Sequence, residues 1–297
     1  MKVKVWGARG SIPAPGPETM RYGANTSCVQ VTLSDGTLVV LDAGTGIRAM
    51  GVQLGALEGT VTILLTHLHL DHIQGLMFFA PCSSPDLRLD IFGPAAPAAG
   101  GTPLPDRIAR YISAPLSPVE VRELPCRVSF REAPTSRWRI GAATVYARSV
   151  SHRGPTLGYR IEDGDTTLAY IPDHEPALGA PIDTLEDEWI SGLELARGAD
   201  LLIHDAQYTD AEYPEHLGWG HSGLSDALAF GARADVGRML LFHHEPRHDD
   251  DMLDALGEQA RTRWRALGRD PQTIALAREG MGLVVGAGRA PAPSTLD

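Results

Sequence analysis

The run His67-Leu68-His69-Leu70-Asp71-His72 follows directly on the apolar segment 61–65. Four side chains able to ligate a metal fall within six residues, at the end of what reads as a buried strand. Imidazole nitrogen suits zinc, iron and related transition metals, and carboxylate oxygen completes mixed sites. In extended backbone, residues two apart point the same way, so His67 and His69 can grip one ion together. Asp71 and His72 come at the turn into the next helix and can reach a second ion beside the first. Two ions ~3.5–4 Å apart can clamp a bridging hydroxide and the oxygens of a phosphate or carbonyl centre. Ordinary polar loop residues are the competing explanation, but motifs of this density rarely arise without a metal.

Composition narrows the classes. The chain has 297 residues, 43% of them hydrophobic, enough for one sizeable α/β domain. No apolar run approaches the roughly eighteen residues needed to cross a bilayer. The first residues, Met1-Lys2-Val3-Lys4-Val5-Trp6, alternate like a strand and do not read as a signal peptide. Cys28, Cys82 and Cys126 are scattered and odd in number, which fits a reducing cytoplasm. The formal net charge is −11, and lysine occurs only at positions 2 and 4. A protein that grips long nucleic acid usually displays a basic face. A small phosphodiester, and no long nucleic acid or membrane, is the expected partner; a homodimer is left open.

Short β-branched or Leu-rich segments bounded by Gly, Pro or Asp predict strands at 3–6, 27–33, 37–42, 61–66, 87–92, 144–149, 157–162, 167–171, 201–204, 238–242 and 282–285. Helices are expected at 46–55, 71–79, 106–113, 187–197, 222–234 and 249–267. Residues 290–297 read as a flexible tail. The order is α/β, with the layer arrangement left open by periodicity.

Thr66-His67-Leu68-His69-Leu70-Asp71-His72 resembles the signature of the metallo-β-lactamase superfamily. The order of later motifs is most similar to its phosphodiesterase branch, which includes ribonuclease Z-like enzymes and bacterial cyclic-phosphate phosphodiesterases. The resemblance runs from Val5 to about Val285. It implies an αββα sandwich: two central mixed sheets with helices on both outer faces, as a single domain over 1–289 with a pocket-covering insert within about 94–140. It also implies two divalent metal ions, zinc first, with manganese or iron as alternatives.

The resemblance extends to further ligands. His152 would join His67 and His69 on the first ion. Asp173 matches the bridging aspartate, which can touch both ions through its two oxygens. His243, aligned through Pro246 and Arg247, would complete the second ion with Asp71 and His72. His244 is the runner-up, His174 a weaker candidate, and His248 is expected at the surface. Gly220-His221-Ser222-Gly223 is similar to the His-Ser-Thr motif of ribonuclease Z-like enzymes, with Gly223 where that motif has Thr. His221 is expected as a catalytic acid oriented by Asp205, with Asp71 also catalytic. Asp42 is expected behind the ligands, and Asn25-Thr26-Ser27 is either a plain turn or a substrate contact.

Other classes fit less well. Gly44-Thr45-Gly46 follows a strand, but the next strand ends in Thr66-His67 rather than the acid that a dinucleotide site needs. No Gly-x-Ser-x-Gly elbow is present. A β-lactamase or thioesterase shares the first motif, and a ribonuclease the later ones. A non-catalytic scaffold would be expected to have lost ligands, whereas all seven expected positions are filled. The expected activity is hydrolysis of small or cyclic phosphodiesters through a metal-bound hydroxide.

Overall fold

A computed structural model describes residues 1–97 and 100–286. The tail expected at 290–297 lies outside the described residues. The first half of the chain forms β1 (Lys2–Gly7), β2 (Cys28–Thr32), β3 (Leu38–Leu41), helix α1 (Gly46–Leu54), β4 (Gly59–Leu64), the short α2 (Leu70–Ile73), β5 (Leu87–Gly93), α3 (Leu104–Ala109) and β6 (Arg127–Glu132). The second half forms β7 (Trp138–Ile140), β8 (Ala143–Ser149), β9 (Leu157–Asp163), β10 (Thr166–Ile171), α4 (Leu193–Ala196), β11 (Leu201–Asp205), α5 (Leu224–Arg233), β12 (Met239–Phe242), α6 (Asp250–Ala266), β13 (Ile274–Leu276) and β14 (Gly282–Val284).

These strands make two seven-stranded sheets, ordered β14-β1-β2-β3-β4-β5-β6 and β13-β12-β11-β10-β9-β8-β7. Both are mixed. The first is antiparallel through β3 and parallel from β3 to β6. The second is parallel from β13 to β10 and antiparallel beyond. The chain changes sheet between β6 and β7 and returns with β14.

Strand periodicity produces the layers. Side chains alternate across a strand, so the odd residues of β11 and the even ones of β12, Leu201, Ile203, Leu240 and Phe242, fill the core between the sheets. Their neighbours Leu202, Met239 and Leu241 face the opposite way, under α4, α5 and α6. Val39 and Leu41 likewise face inward while Val40 packs with Ile47 and Met50 of α1. Helix α5 buries Leu224, Ala227, Leu228 and Gly231, the spacing of one helical stripe. Helix α6 starts on Asp249, whose side chain accepts from the Met252 amide at 2.7 Å. This is the αββα arrangement that the sequence resemblance implied. No helix among the described residues is long and apolar enough to cross a membrane.

Several expectations are corrected. The helix expected over 71–79 ends at Ile73, and the chain continues as separate 3-10 turns, Leu76–Phe78 and Ala80–Ser83, with Pro81 in the second. The helix expected over 187–197 is a 3-10 turn and a four-residue helix, divided by Gly192 at φ +70°. Strands β6, β7 and β13 were missed. The first two occupy opposite sheet edges, where partial exposure lets charged side chains interrupt the apolar pattern. Within the insert expected over 94–140, β6 and β7 lie at the edges of the two sheets.

Candidate metal centre

In both sheets the parallel strands β3–β4 and β10–β12 run toward the same edge of the sandwich. Loops leaving carboxyl ends of parallel strands are aimed by a rigid scaffold and are free to carry chemistry. Asp42 follows β3, His67 follows β4, Asp173 follows β10, Asp205 ends β11 and His243 follows β12. The fold thereby gathers residues as far apart in the chain as Asp42 and His243.

Three groups result. His67, His69, His152 and Asp173 form one; Asp71, His72, Asp173 and His243 form a second; Asp205, His221 and His243 form a third. Within each, the potential ligand atoms lie within 4.8 Å of one another. Asp173 is common to the first two. Its Oδ2 lies 3.6 Å from His67 Nε2, 3.7 Å from His152 Nε2 and 3.3 Å from His243 Nε2. Its Oδ1 lies 3.1 Å from His72 Nε2. Asp71 Oδ2 lies 3.1 Å from His243 Nε2 and 3.3 Å from His72 Nε2, and it accepts the Ser11 amide at 2.8 Å.

The surrounding hydrogen bonds decide which ring nitrogens point inward with a lone pair. His72 Nδ1 donates to Asp42 Oδ2 at 2.8 Å. His152 Nδ1 donates to the Gly220 carbonyl at 2.7 Å, and His243 Nδ1 to Gln207 Oε1 at 2.9 Å. The Thr66 hydroxyl donates to Asp42, leaving its oxygen to accept from His67 Nδ1 at 3.1 Å. Each ring with Nδ1 so engaged turns an Nε2 lone pair toward Asp173 or Asp71. This is the arrangement by which outer hydrogen bonds orient metal-binding imidazoles. His69 turns Nδ1 to within 3.2 Å of His152 Nε2.

Two observations test the fit to metal. The buried atoms His67 Nε2, His72 Nε2 and Asp173 Oδ1 have no hydrogen-bond partner, a costly state for polar atoms without a ligand. Electrostatics agree. Burial opposes protonation of His243, yet Asp173 and Asp71 outweigh it and raise its pKa to about 9. The carboxylates thus demand positive charge here, and divalent cations would meet that demand. Burial, by contrast, takes His152 down to about 4, keeping it neutral as a ligand must be. The residues present fit divalent metal.

Asp42 supports this from behind. It is fully buried and accepts from the Thr66 amide, the Thr66 hydroxyl, His72 and the Tyr170 hydroxyl. Both Asp42 and His243 hold φ near +60°, which non-glycine residues rarely adopt. Gly44 lets this corner close: a Cβ there would stand 2.3 Å from the Asp71 carbonyl. Gly10 does the same for His243, whose Nδ1 would meet a Cβ at 2.4 Å.

His221 faces the cluster from the second sheet. Asp205 Oδ2 accepts from its Nδ1 at 2.6 Å, and its ring stacks on His243 at 4.9 Å between centroids. The adjoining loop is pinned by Glu175, fully buried, which accepts from the Gly218 and Gly220 amides and the Tyr213 hydroxyl.

The remaining candidates are placed elsewhere. His244 Nε2 bonds the Ala277 carbonyl, away from the cluster. His174 turns Nδ1 to His204 Nε2 at 2.9 Å, beneath Asp173. His248, expected at the surface, is buried against Glu212 because its carbonyl anchors the buried Arg9. Asn25 and Thr26 bond Glu279 and Thr45, so that turn is scaffold. Gln207 and Glu175 carried no sequence signal, since a lone amide or carboxylate in a loop has no diagnostic spacing. Beside the first group opens a cavity of about 580 Å³, floored by His67 and His69 and walled by Leu68, Ile73, Tyr111 and Leu116.

Comparison with known proteins places this geometry. A model of the beta-lactamase superfamily domain matches residues 37–244. Ribonuclease Z of Mycobacterium bovis (strain BCG / Pasteur 1173P2) is 29% identical over 297 residues, covering 90% of this chain and 91% of that protein. The human tRNase Z short form superposes with a TM-score of 0.66 at 21% identity, over 96% of this chain and 100% of that one. A diphosphatase from the PhnP family superposes with a TM-score of 0.67 at 18% identity, over 95% and 97%.

Proposed function

The chain belongs to the beta-lactamase superfamily and is a metal-dependent hydrolase, and from that premise we propose that it uses two metal ions to cleave small phosphodiesters. The observation that carries this reading is Asp173, shared by two ligand groups whose histidine lone pairs are fixed inward by hydrogen bonds on the far ring nitrogen. His67, His69, His152 and Asp173 would hold one ion; Asp71, His72, Asp173 and His243 the other. Zinc suits this donor set, as do manganese and iron. When bound, such ions supply Lewis-acid charge at the scissile group and lower the proton affinity of a water there.

The protein's own groups do the rest. Asp205 holds His221 with Nδ1 protonated, so Nε2 is the atom that exchanges a proton with substrate. The oxygen of water joins phosphorus and gives up one proton to solvent, the ester P–O bond breaks, and His221 Nε2 delivers the proton that the leaving oxygen needs and regains one from solvent. The buried Asp205 carboxylate keeps the ring aimed.

The test is a hydrolysis screen of bis-p-nitrophenyl phosphate, a cyclic nucleotide, a lactam and a thioester, with metal analysis of the same sample. Phosphodiester turnover with about two ions per chain supports the reading. Efficient lactam or thioester turnover without phosphodiester cleavage overturns it.

A ribonuclease reading is favoured by the full-length similarity to ribonuclease Z. Against it stand the net charge of −11 and the absence of a lysine-rich segment. Unlabelled tRNA at micromolar concentration separates the two. It should barely inhibit small-diester cleavage at moderate salt, and strong salt-sensitive inhibition would move ribonuclease activity to first place.

A further inference from the structure

The cavity beside the first ligand group is lined by apolar and by cationic side chains. Ile73, Tyr111 and Leu116 supply apolar surface, and Arg107, Arg110 and Arg153 supply charge. Its lining contains no carboxylate, in a chain whose net charge is −11. Several arginines elsewhere are neutralised by a neighbouring acid, as Arg160 is by Glu162 and Arg197 by Asp187.

Here that neutralisation is partial. Arg107 is tied by Nη2 to the Pro94 carbonyl at 2.5 Å, with Glu132 as its carboxylate at 3.9 Å. Burial and the nearby Arg110 charge hold its guanidinium below the usual range, with Glu132 offsetting part of this. Arg110 and Arg153 are exposed, and no carboxylate among the described residues pairs with either. Arg153 is positioned instead by the Gly218 carbonyl, at 3.4 Å from its Nε. Its place next to His152 in the chain ties this charge to the first ligand group.

Like charges held together without counterions are unfavourable unless an anion visits them. A reacting phosphate would sit over Asp173 and the histidines, and the arginines line the cavity that opens beside them over His67 and His69. We propose that this cavity is a subsite for the arm of the substrate that is not released, and that it selects diesters whose arm has an aromatic body ending in a second anionic group. A nucleoside carrying a further phosphate has that chemistry: the base meets the apolar walls, and the phosphate meets planar guanidinium forks. This rests on the phosphodiesterase reading above.

The experiment compares kcat/KM for a 5′-phosphorylated diadenosine dinucleotide and its unphosphorylated counterpart, with bis-p-nitrophenyl phosphate measured alongside. The wild-type enzyme should prefer the phosphorylated dinucleotide by roughly tenfold or more, the scale of one charge-assisted contact. Arg110→Ala should cut that preference severalfold, chiefly through KM, and Arg110→Lys should restore part of it. Arg261→Ala, on the distant face of α6, should leave the ratio alone. Equal kcat/KM for the two dinucleotides in the wild type, or a ratio unmoved by Arg110→Ala, would overturn the subsite while bis-p-nitrophenyl phosphate turnover left the phosphodiesterase reading standing. Failure to cleave any of the three would remove both.

Discussion

Replacing Asp42 by alanine should cost this protein more stability than any single exposed change, even with no metal in solution. The carboxylate is 0% exposed and accepts from the Thr66 amide at 2.7 Å, His72 Nδ1 at 2.8 Å and the Tyr170 hydroxyl at 2.9 Å. Alanine leaves those three buried donors without an acceptor. Each orphaned group costs ~1–3 kcal/mol, so the sum is about 3–9 kcal/mol. Water entering the vacated space moves the value toward the lower end, about 3–5 kcal/mol. The backbone adds to it. Asp42 sits at φ +59°, where alanine pays roughly 1 kcal/mol more than aspartate or asparagine. Asp42→Asn tolerates that φ and keeps one accepting oxygen for Thr66, but its amide nitrogen would face the His72 and Tyr170 donors, so it should lose about 2–6 kcal/mol, without the backbone penalty of alanine. Urea unfolding followed by circular dichroism, with chelator in every sample, isolates this from metal linkage. The expected order is wild type, then Asn, then Ala. An Asp42→Ala protein within about 0.5 kcal/mol of wild type, the usual range of surface changes, would refute the reasoning.

Other perturbations follow from the same geometry. Asp173→Ala should lower bound metal from about two ions per chain to fewer than one by elemental analysis; full occupancy would remove the shared-ligand assignment. His221→Ala should keep its metal but slow cleavage of poor leaving groups on the order of a hundredfold, and p-nitrophenolate release much less; equal losses would exclude proton donation. Gln207→Leu frees His243 Nδ1 and should weaken metal affinity roughly tenfold or more, read by competition with a chelating dye. His204 is buried, and burial lowers its pKa to about 4. Because the unfolded chain takes that proton near pH 6.5, stability should be unaffected above about pH 6.5 and fall between there and pH 4. The slope is about 1.4 kcal/mol per unit per group; a His204→Phe protein retaining the full slope would show that other groups cause it.

Local sequence determined the chemistry, and tertiary structure decided the assembly. The His67-to-His72 run was legible because strand period and metal chemistry both act over a few residues. The strands that carry Asp173 and His243 were legible for the same reason: each is a buried apolar run ending in a polar turn. The fold class beyond α/β came through family resemblance, since periodicity does not say which of two sheets a strand joins. That choice is made by packing, where β10, β11 and β12 bury opposite faces in two different cores. Strands β6 and β7 were invisible because edge positions relax the alternation that marks a strand. The choice of His243 over its neighbour also belongs to tertiary structure. Adjacent side chains diverge, and a backbone at φ +61° aims His243 inward while His244 reaches the Ala277 carbonyl. Gln207, Glu175 and the arginines of the cavity were beyond sequence reading altogether. Their meaning lies in what stands beside them in space, and nothing in the spacing of single polar residues along a chain records that.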